Sequence, residues 1–270
     1  MLHIEVFNDD HVFKCLDLAK VKLLSDTRSK VYLAIEREKP HEKKVVKVFR
    51  NTESSFNSFI NEIEMVKKLK HPNIMMYDRA VAMPKYNILV MPYCERGGLY
   101  KRVGRISQRE TDRYFLQMCG AIKYLHGLNI VHRDIKLDNF LLDAQHQLHL
   151  TDFEMACRVK PGCPTVHLQM GTLQYMAPEM LAEPEGSYNG FKLDIYALGV
   201  ALWCILFEKD SQDIEDYLGI ARSYTGRYPC IFYKWILENV LHPDPELRWD
   251  ISQLIQGLCR SWLEDRAKAL

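Results

Sequence analysis

The chain has no surplus of either charge. Its 270 residues carry 36 Lys and Arg against 35 Asp and Glu, a formal net charge of +1. That balance gives no reason to expect nucleic acid or an anionic membrane surface as a partner, and neither is expected. The chain also lacks an unbroken basic run, because Lys39-Pro40-His41-Glu42-Lys43-Lys44 is interrupted by Pro and Glu and reads as a solvated turn. It lacks any C-x-x-C pair. The eight cysteines, at 15, 94, 119, 157, 163, 204, 230 and 259, include several inside apolar runs, which favours reduced, buried thiols over a disulfide framework or a zinc site. Met1-Leu2-His3-Ile4-Glu5 has neither the basic start nor the apolar stretch of a signal peptide. The longest apolar run, Leu193–Phe207, contains Asp194 and is too short to span a bilayer, so it reads as a buried core helix. These absences together predict an intracellular protein, cytoplasmic or nuclear. Repeats and low-complexity tracts are absent too.

About half of the residues are apolar (47%), enough to bury the core of one large domain or of two lobes sharing a cleft. Residues 18–35 and 44–50 are β-branched and apolar runs between polar turns, which predicts strands. Helical spacing follows from about Ser54 to Lys70, ending ahead of His71-Pro72 because the residue before Pro disfavours the helical region. Further strands are expected near Ile74–Ala82 and Tyr86–Met91. After Gly97-Gly98 the pattern turns helical: Ser107-Gln108-Arg109-Glu110 is a capping box, Tyr114, Met118, Ile122 and Leu125 continue the stripe, and Gly127 is a plausible stop. The pattern implies an α+β arrangement, a strand-rich N-terminal part and a helical C-terminal part meeting near residues 91–98, with a cleft at the junction.

The chemistry concentrates in His132-Arg133-Asp134-Ile135-Lys136-Leu137-Asp138-Asn139, a polar loop between the apolar runs Leu128–Val131 and Phe140–Leu142. Phosphoryl transfer to a hydroxyl needs a carboxylate to orient the hydroxyl and take its proton, a cation near the moving group, and an oxygen ligand for Mg²⁺. Asp134, Lys136 and Asn139 offer these in turn. With this cassette and the residues that follow it, the chain resembles the eukaryotic protein kinase superfamily over about residues 18 to 260.

The resemblance implies a bilobal kinase fold: an N-terminal extension over 1–17, an N-lobe over about 18–91, a hinge over 92–98, a C-lobe over 99–260 and a short tail over 261–270. Thr151-Asp152-Phe153-Glu154 stands where the family has Asp-Phe-Gly, which makes Asp152 a second Mg²⁺ ligand beside Asn139 and has Phe153 pack on the N-lobe helix. Gly171–Glu179 matches the end of the activation segment, Asp194 the residue that braces the catalytic loop, and Arg248 the partner of Glu179. Lys47 in Lys44-Val45-Val46-Lys47 takes the place of the ATP-binding lysine. Its expected partner is Glu62, on the apolar stripe with Phe59 and Val66, while Glu64 is rotated away. Val31, Val45, Met91, Pro92, Cys94 and Leu141 fall where the family lines its adenine site; Pro92 lacks only an N–H and keeps its carbonyl. Gly171–Glu179 implies a protein substrate, and Lys136 with Thr172 resembles the Ser/Thr-specific pattern, nearest the calmodulin-kinase group and checkpoint-type kinases. ATP and Mg²⁺ are the implied cofactors.

Three features depart from the family. The phosphate loop, Leu24–Val31, has Leu24, Asp26 and Ser29 at the three glycine positions, where a missing Cβ normally lets amides approach phosphate. Asp26 adds a like charge near phosphate, a cost of roughly 3 kcal/mol at about 5 Å and an effective dielectric of about 20, partly offset by Arg28; Val45 replaces a smaller residue. Glu154 replaces glycine, which costs about 1–2 kcal/mol if that position needs a positive φ. Finally, Arg133 implies a phosphorylated partner, yet Thr165 is the only hydroxyl residue between Glu154 and Gly171, and Leu168 lies nearer the usual place. Two readings therefore stand: an active Ser/Thr kinase, and the same fold used as a scaffold or allosteric partner. Leu181–Gly190 and Glu208–Arg227 are expected to be solvated loops.

Overall fold

The computed structural model describes residues 9–27, 29–50, 52–83, 86–209, 217–222 and 231–268. They divide into two compact units, Met1–Leu69 with Met75–Cys94, and Lys70–Ile74 with Glu95–Leu270. Arg28 and most of Glu208–Arg227 lie outside the described residues.

The first unit contains α1 (Asp9–Cys15), β1 (Leu18–Asp26), β2 (Ser29–Glu36), β3 (Lys43–Arg50), α2 (Glu53–Val66), β4 (Arg79–Ala82) and β5 (Tyr86–Pro92). Its five strands form an antiparallel sheet in the order β1-β2-β3-β5-β4. Strand alternation divides the side chains between two faces. Tyr32, Ala34, Val46, Val48, Ile88 and Val90 form one face and pack with Val12, Phe13 and Leu16 of the N-terminal segment. Val31, Val45, Lys47, Phe49 and Met91 belong to the other face, where Phe49 meets Phe59 of α2 at 5.5 Å between ring centroids. The described part of the expected N-terminal extension is thus a packed layer: the Phe13 ring lies edge-on to Tyr32 at 5.4 Å, and Arg79 Nη1 donates to the Leu16 carbonyl at 2.9 Å.

Helix α2 begins where Thr52 Oγ1 accepts the Ser55 amide at 3.2 Å. It ends earlier than the Ser54–Lys70 spacing suggests. Leu69 N bonds three residues back to Val66 O at 2.9 Å, so the chain tightens out of the helix well before Pro72. The strand expected over Ile74–Ala82 shortens to β4; Ile74 instead bridges Leu150 within the second unit.

The second unit contains β6 (Gly97–Gly98), α3 (Gln108–Gly127), β7 (Ile130–Val131), β8 (Phe140–Leu142), β9 (Leu148–Leu150), β10 (Cys157–Arg158), β11 (Thr165–His167), α4 (Pro178–Ala182), β12 (Ser187–Asn189), α5 (Gly190–Phe207), α6 (Tyr217–Arg222), α7 (Ile231–Val240) and α8 (Ile251–Lys268). The Ser107–Glu110 capping box opens α3. The helix containing Leu193–Phe207 starts earlier than the apolar run, at Gly190, so α5 is, contrary to the expectation from the run, long and apolar enough to cross a membrane; 83% of it is buried within the fold, as expected of a core helix. Leu181–Gly190 is not only a solvated loop, because its residues Ser187–Asn189 form β12 and pair antiparallel with β11.

Phe13 is 2% exposed, so Phe13→Ala should lower stability by about 3 kcal/mol through lost burial and the cavity left behind. Urea denaturation measures this; an unchanged midpoint would mean that α1 is not a layer of the first unit.

Candidate active site

Asp194, on the buried helix α5, is 1% exposed and organises the loop after β7. Its Oδ2 accepts the His132 amide at 2.9 Å and lies 3.0 Å from His126 Nε2, and its Oδ1 accepts the Arg133 amide at 3.0 Å. These bonds hold Arg133 at φ 65°, a left-handed conformation that costs a non-glycine residue of order 1–3 kcal/mol unless its surroundings impose it.

His132 is fully buried and is fixed from both ring nitrogens. The Asp134 amide donates to Nδ1 at 3.3 Å, so Nδ1 carries no proton, and Nε2 therefore donates to the Thr151 carbonyl at 3.2 Å. Burial pushes the imidazole below its ordinary range, against the opposing pull of Asp194, Asp134 and Asp152. A neutral ring and two hydrogen bonds thus connect the loop after β7 to the strand end that carries Asp152.

Asp134, 6% exposed, sits within a polar cluster. Its Oδ1 accepts the Thr172 hydroxyl at 2.7 Å, and its Oδ2 meets Lys136 Nζ at 2.8 Å and Asn139 Nδ2 at 3.1 Å. Lys136 Nζ also donates to Thr172 Oγ1 at 2.9 Å. Asn139 spends its amide nitrogen on Asp134, including the backbone carbonyl at 2.8 Å, so its Oδ1 remains the atom suited to a hard cation. Asp152 follows at φ 67° and supplies a half-buried carboxylate. An amide oxygen and a carboxylate are the donor types that Mg²⁺ takes. Gly171 reaches φ 118°, and a Cβ there would lie 2.6 Å from the Arg133 carbonyl; only glycine allows the segment carrying Thr172 to come so close to the loop. Beside this cluster a cavity of about 450 Å³ is lined by Tyr100, Lys136, Asp138, Gln174 and Tyr175, among others.

In the first unit, Lys47 Nζ meets Glu62 Oε2 at 2.9 Å. Glu62 is fully buried, and its Oε1 accepts the Tyr77 hydroxyl. Glu64 is exposed and pairs with Lys67. Val31, Val45 and Met91 share the sheet face of Lys47; Pro92 closes β5 and Cys94 is buried just beyond it. Leu141 lies half-buried in β8 of the second unit.

The family model for the protein kinase domain matches residues 22–269. The chain belongs to the protein kinase family. It is 28% identical to the CBL-interacting serine/threonine-protein kinase 8 of Arabidopsis thaliana over 202 residues, 72% of this chain and 45% of that protein. It is 32% identical to the sperm motility kinase 2B of Mus musculus over 219 residues, 78% and 45%, and 30% identical to the CBL-interacting protein kinase 31 of Oryza sativa subsp. japonica over 257 residues, 88% and 54%. The chain spans about half the length of these curated relatives.

Within this kinase fold the activation segment is tied down along its length. Arg133 Nε donates to the Met155 carbonyl at 2.5 Å, β10 pairs with β7, and β11 pairs with β12. Arg248 holds the far end. Its NH groups reach Glu179 at 2.7 and 2.9 Å, the carbonyls of His242 and Lys192 at 2.9 and 3.0 Å, and the Pro243 carbonyl at 3.4 Å, and its guanidinium lies 4.9 Å from the centre of the Tyr196 ring. All five donors of a fully buried guanidinium are thereby used.

The premise of a strained Glu154 is corrected. Glu154 has no positive φ; the left-handed residue of the metal motif is Asp152, so the carboxylate at 154 carries no such backbone penalty. Phe153 is fully buried, edge-on to His132 at 4.8 Å. Leu168 is left-handed and 64% exposed. His126 and Tyr77 complete the Asp194 and Glu62 networks without having been singled out in the sequence. His126 gives a faint signal, a polar ring among the apolar positions closing α3; Tyr77 gives none.

Two outcomes follow. His132 should remain neutral, with Nδ1 unprotonated, as pH falls through 6.5, the ordinary imidazole value, because its folded pKa is depressed. The unfolded chain then binds the extra proton, so this group's contribution to stability is present above that pH and declines below it. ¹⁵N NMR of the ring tests this, and an ordinary titration at His132 would refute the buried neutral ring. Thr165 is exposed and opens β11, with Oγ1 3.3 Å from Cys163 Sγ. Since the ladder to β12 uses backbone groups, Thr165→Ala should unfold within about 0.5 kcal/mol of wild type; thermal unfolding is the readout, and a large loss would give the side chain the role assigned here to the ladder.

Proposed function

We propose that this chain is a serine/threonine protein kinase domain that moves the γ-phosphoryl group of ATP to a Ser or Thr hydroxyl of a protein substrate. The observation that carries the reading is the hydrogen bond from the Thr172 hydroxyl to Asp134 Oδ1 at 2.7 Å. Asp134 already binds the kind of group that the acceptor presents, with Lys136 at its other oxygen. Asp134 orients the acceptor hydroxyl and takes its proton as the oxygen bonds to the γ-phosphorus and the bond to the bridging oxygen of ADP breaks. Lys136 balances the negative charge that gathers there. Asn139 and Asp152 are the residues to hold Mg²⁺, which when bound screens the phosphate charge. The Lys47–Glu62 pair supplies a fixed cation for the nucleotide phosphates, and Val31, Val45, Met91, Pro92, Cys94 and Leu141 the adenine contacts. The names of the relatives favour catalysis over the scaffold reading, as does a cluster in which every catalytic side chain is present.

With ATP and Mg²⁺, the protein should label casein, and Asp134→Asn should reduce labelling at least about 100-fold while leaving the thermal unfolding midpoint close to wild type. Equal labelling by the variant would place any activity elsewhere and favour the scaffold reading.

A further inference from the structure

A second charged surface of this unit lies at the start of α3. Between residues 95 and 114 six cationic side chains stand against three anionic ones, although the whole chain has a net charge of only +1. Two of the three acids are already engaged. Glu110 caps α3 through the Ser107 amide and hydroxyl at 3.0 and 2.9 Å and meets Arg102 at 3.3 Å, and Asp112 accepts the Tyr233 hydroxyl. The arginines outnumber what these acids can neutralise. Arg96, Arg105, Arg109 and Arg113 are all exposed.

The cluster is built on a fixed base. Tyr114, fully buried, takes the Arg113 guanidinium at 3.3 Å, lies 3.2 Å from His146 Nδ1 in the β8–β9 turn, and donates to Glu110 at 3.4 Å. The Arg96 amide is tied to the Leu142 carbonyl of β8 at 3.1 Å, which brings a further arginine to the same turn. Burial lowers the pKa of His146 first, and the charges of Arg96, Arg102 and Arg113 lower it further, against the opposing charge of Glu110.

We propose that this surface docks an acidic, Asp/Glu-rich segment of a protein partner. Arg109 and Arg113 lie one helical turn apart on one face of α3, an advance of about 6 Å along the axis. Alternate residues of an extended chain repeat on one side every 6.6 Å or so, so successive same-side carboxylates fall in step with these guanidiniums. The α3 N-terminus is capped from within the chain, which leaves side chains, not helix amides, to hold the anion. The exposed ring of this span, Tyr100, lines the cavity beside Lys136 and Thr172, and the oligonucleotide probe below tests whether a base stacks there.

The test uses the whole protein and fluorescence anisotropy with three labelled probes: a twelve-residue Asp/Glu-rich peptide, a neutral peptide of equal length and a dT oligonucleotide. The acidic peptide should bind at least tenfold more tightly than the neutral one, weaken as salt rises, and lose at least tenfold in affinity for Arg109→Glu/Arg113→Glu. Arg109→Gln/Arg113→Gln should lose less, and both variants should unfold at the wild-type midpoint, because these side chains are exposed. Equal binding of the two peptides, unchanged affinity in the Glu variant, or tighter binding of the oligonucleotide would each overturn the proposal. Labelling of a basic substrate, myelin basic protein, by the same variants separates this surface from the catalytic reading, since docking of an acidic segment can fail while phosphoryl transfer to a basic protein persists.

Discussion

The carboxylate of Asp194 is the fixed point of the second unit. It is buried in α5 and accepts two consecutive backbone amides, those of His132 and Arg133, with His126 beside it. A buried carboxylate without partners is costly; here each oxygen is occupied, so its desolvation is offset by hydrogen bonds that also dictate the turn of the catalytic loop. The left-handed backbone of Arg133 follows from that turn. So does the path by which His132 points one nitrogen at Asp134 and the other at Thr151, just before Asp152. Loss of the Asp194 carboxylate would therefore alter the position of several functional side chains that it does not touch.

Arg248 with Glu179 does for the activation segment what Asp194 does for the loop, by a different route. A buried ion pair contributes little net stability when well-packed apolar residues could replace it, but removing one member is strongly destabilising. With all five guanidinium donors used, the pair joins α4, the start of α5 and the turn before α8 into one geometry. The Asp134–Lys136–Thr172 cluster contrasts with it. Lys136 and Thr172 remain partly exposed, so the hydroxyl held by Asp134 can be exchanged for another, whereas the Arg248 network cannot be exchanged without leaving a buried charge.

The sequence makes the second unit's chemistry legible because its residues are close in the chain or carry strong local signals. The cassette at 132–139 occupies a single loop, and the Ser107–Glu110 capping box fixes the start of α3. Glu62 could be told from Glu64 by helical phase alone, since one lies on the buried stripe and the other does not. Other features are set by long-range pairing, which local pattern does not encode. The ladder between β11 and β12 turns an expected loop into a brace for the activation segment. The left-handed residue of Asp152-Phe153-Glu154 is Asp152 and not Glu154, a backbone choice that residue type alone does not reveal. The packing of Val12, Phe13 and Leu16 against the sheet depends on which sheet face is uncovered, and strand alternation alone does not distinguish the two faces.

The phosphate loop without glycine shows how such pairing changes the meaning of a departure. Strands β1 and β2 stay paired, through register shifts at Lys20/Lys22 and Leu23/Ser25, up to Asp26 opposite Lys30, and the Thr27 amide bonds to the Ser29 carbonyl at 3.3 Å. The negative charge of Asp26 thus has Lys30 as its cross-strand neighbour, a pairing of opposite charges that stabilises neighbouring strands. The same closure occupies an amide that a glycine-rich loop would turn toward phosphate. On the proposed reading, phosphate recognition in this chain depends less on loop backbone and more on side-chain cations, of which Lys47 is held by Glu62 at 2.9 Å, itself bonded by Tyr77.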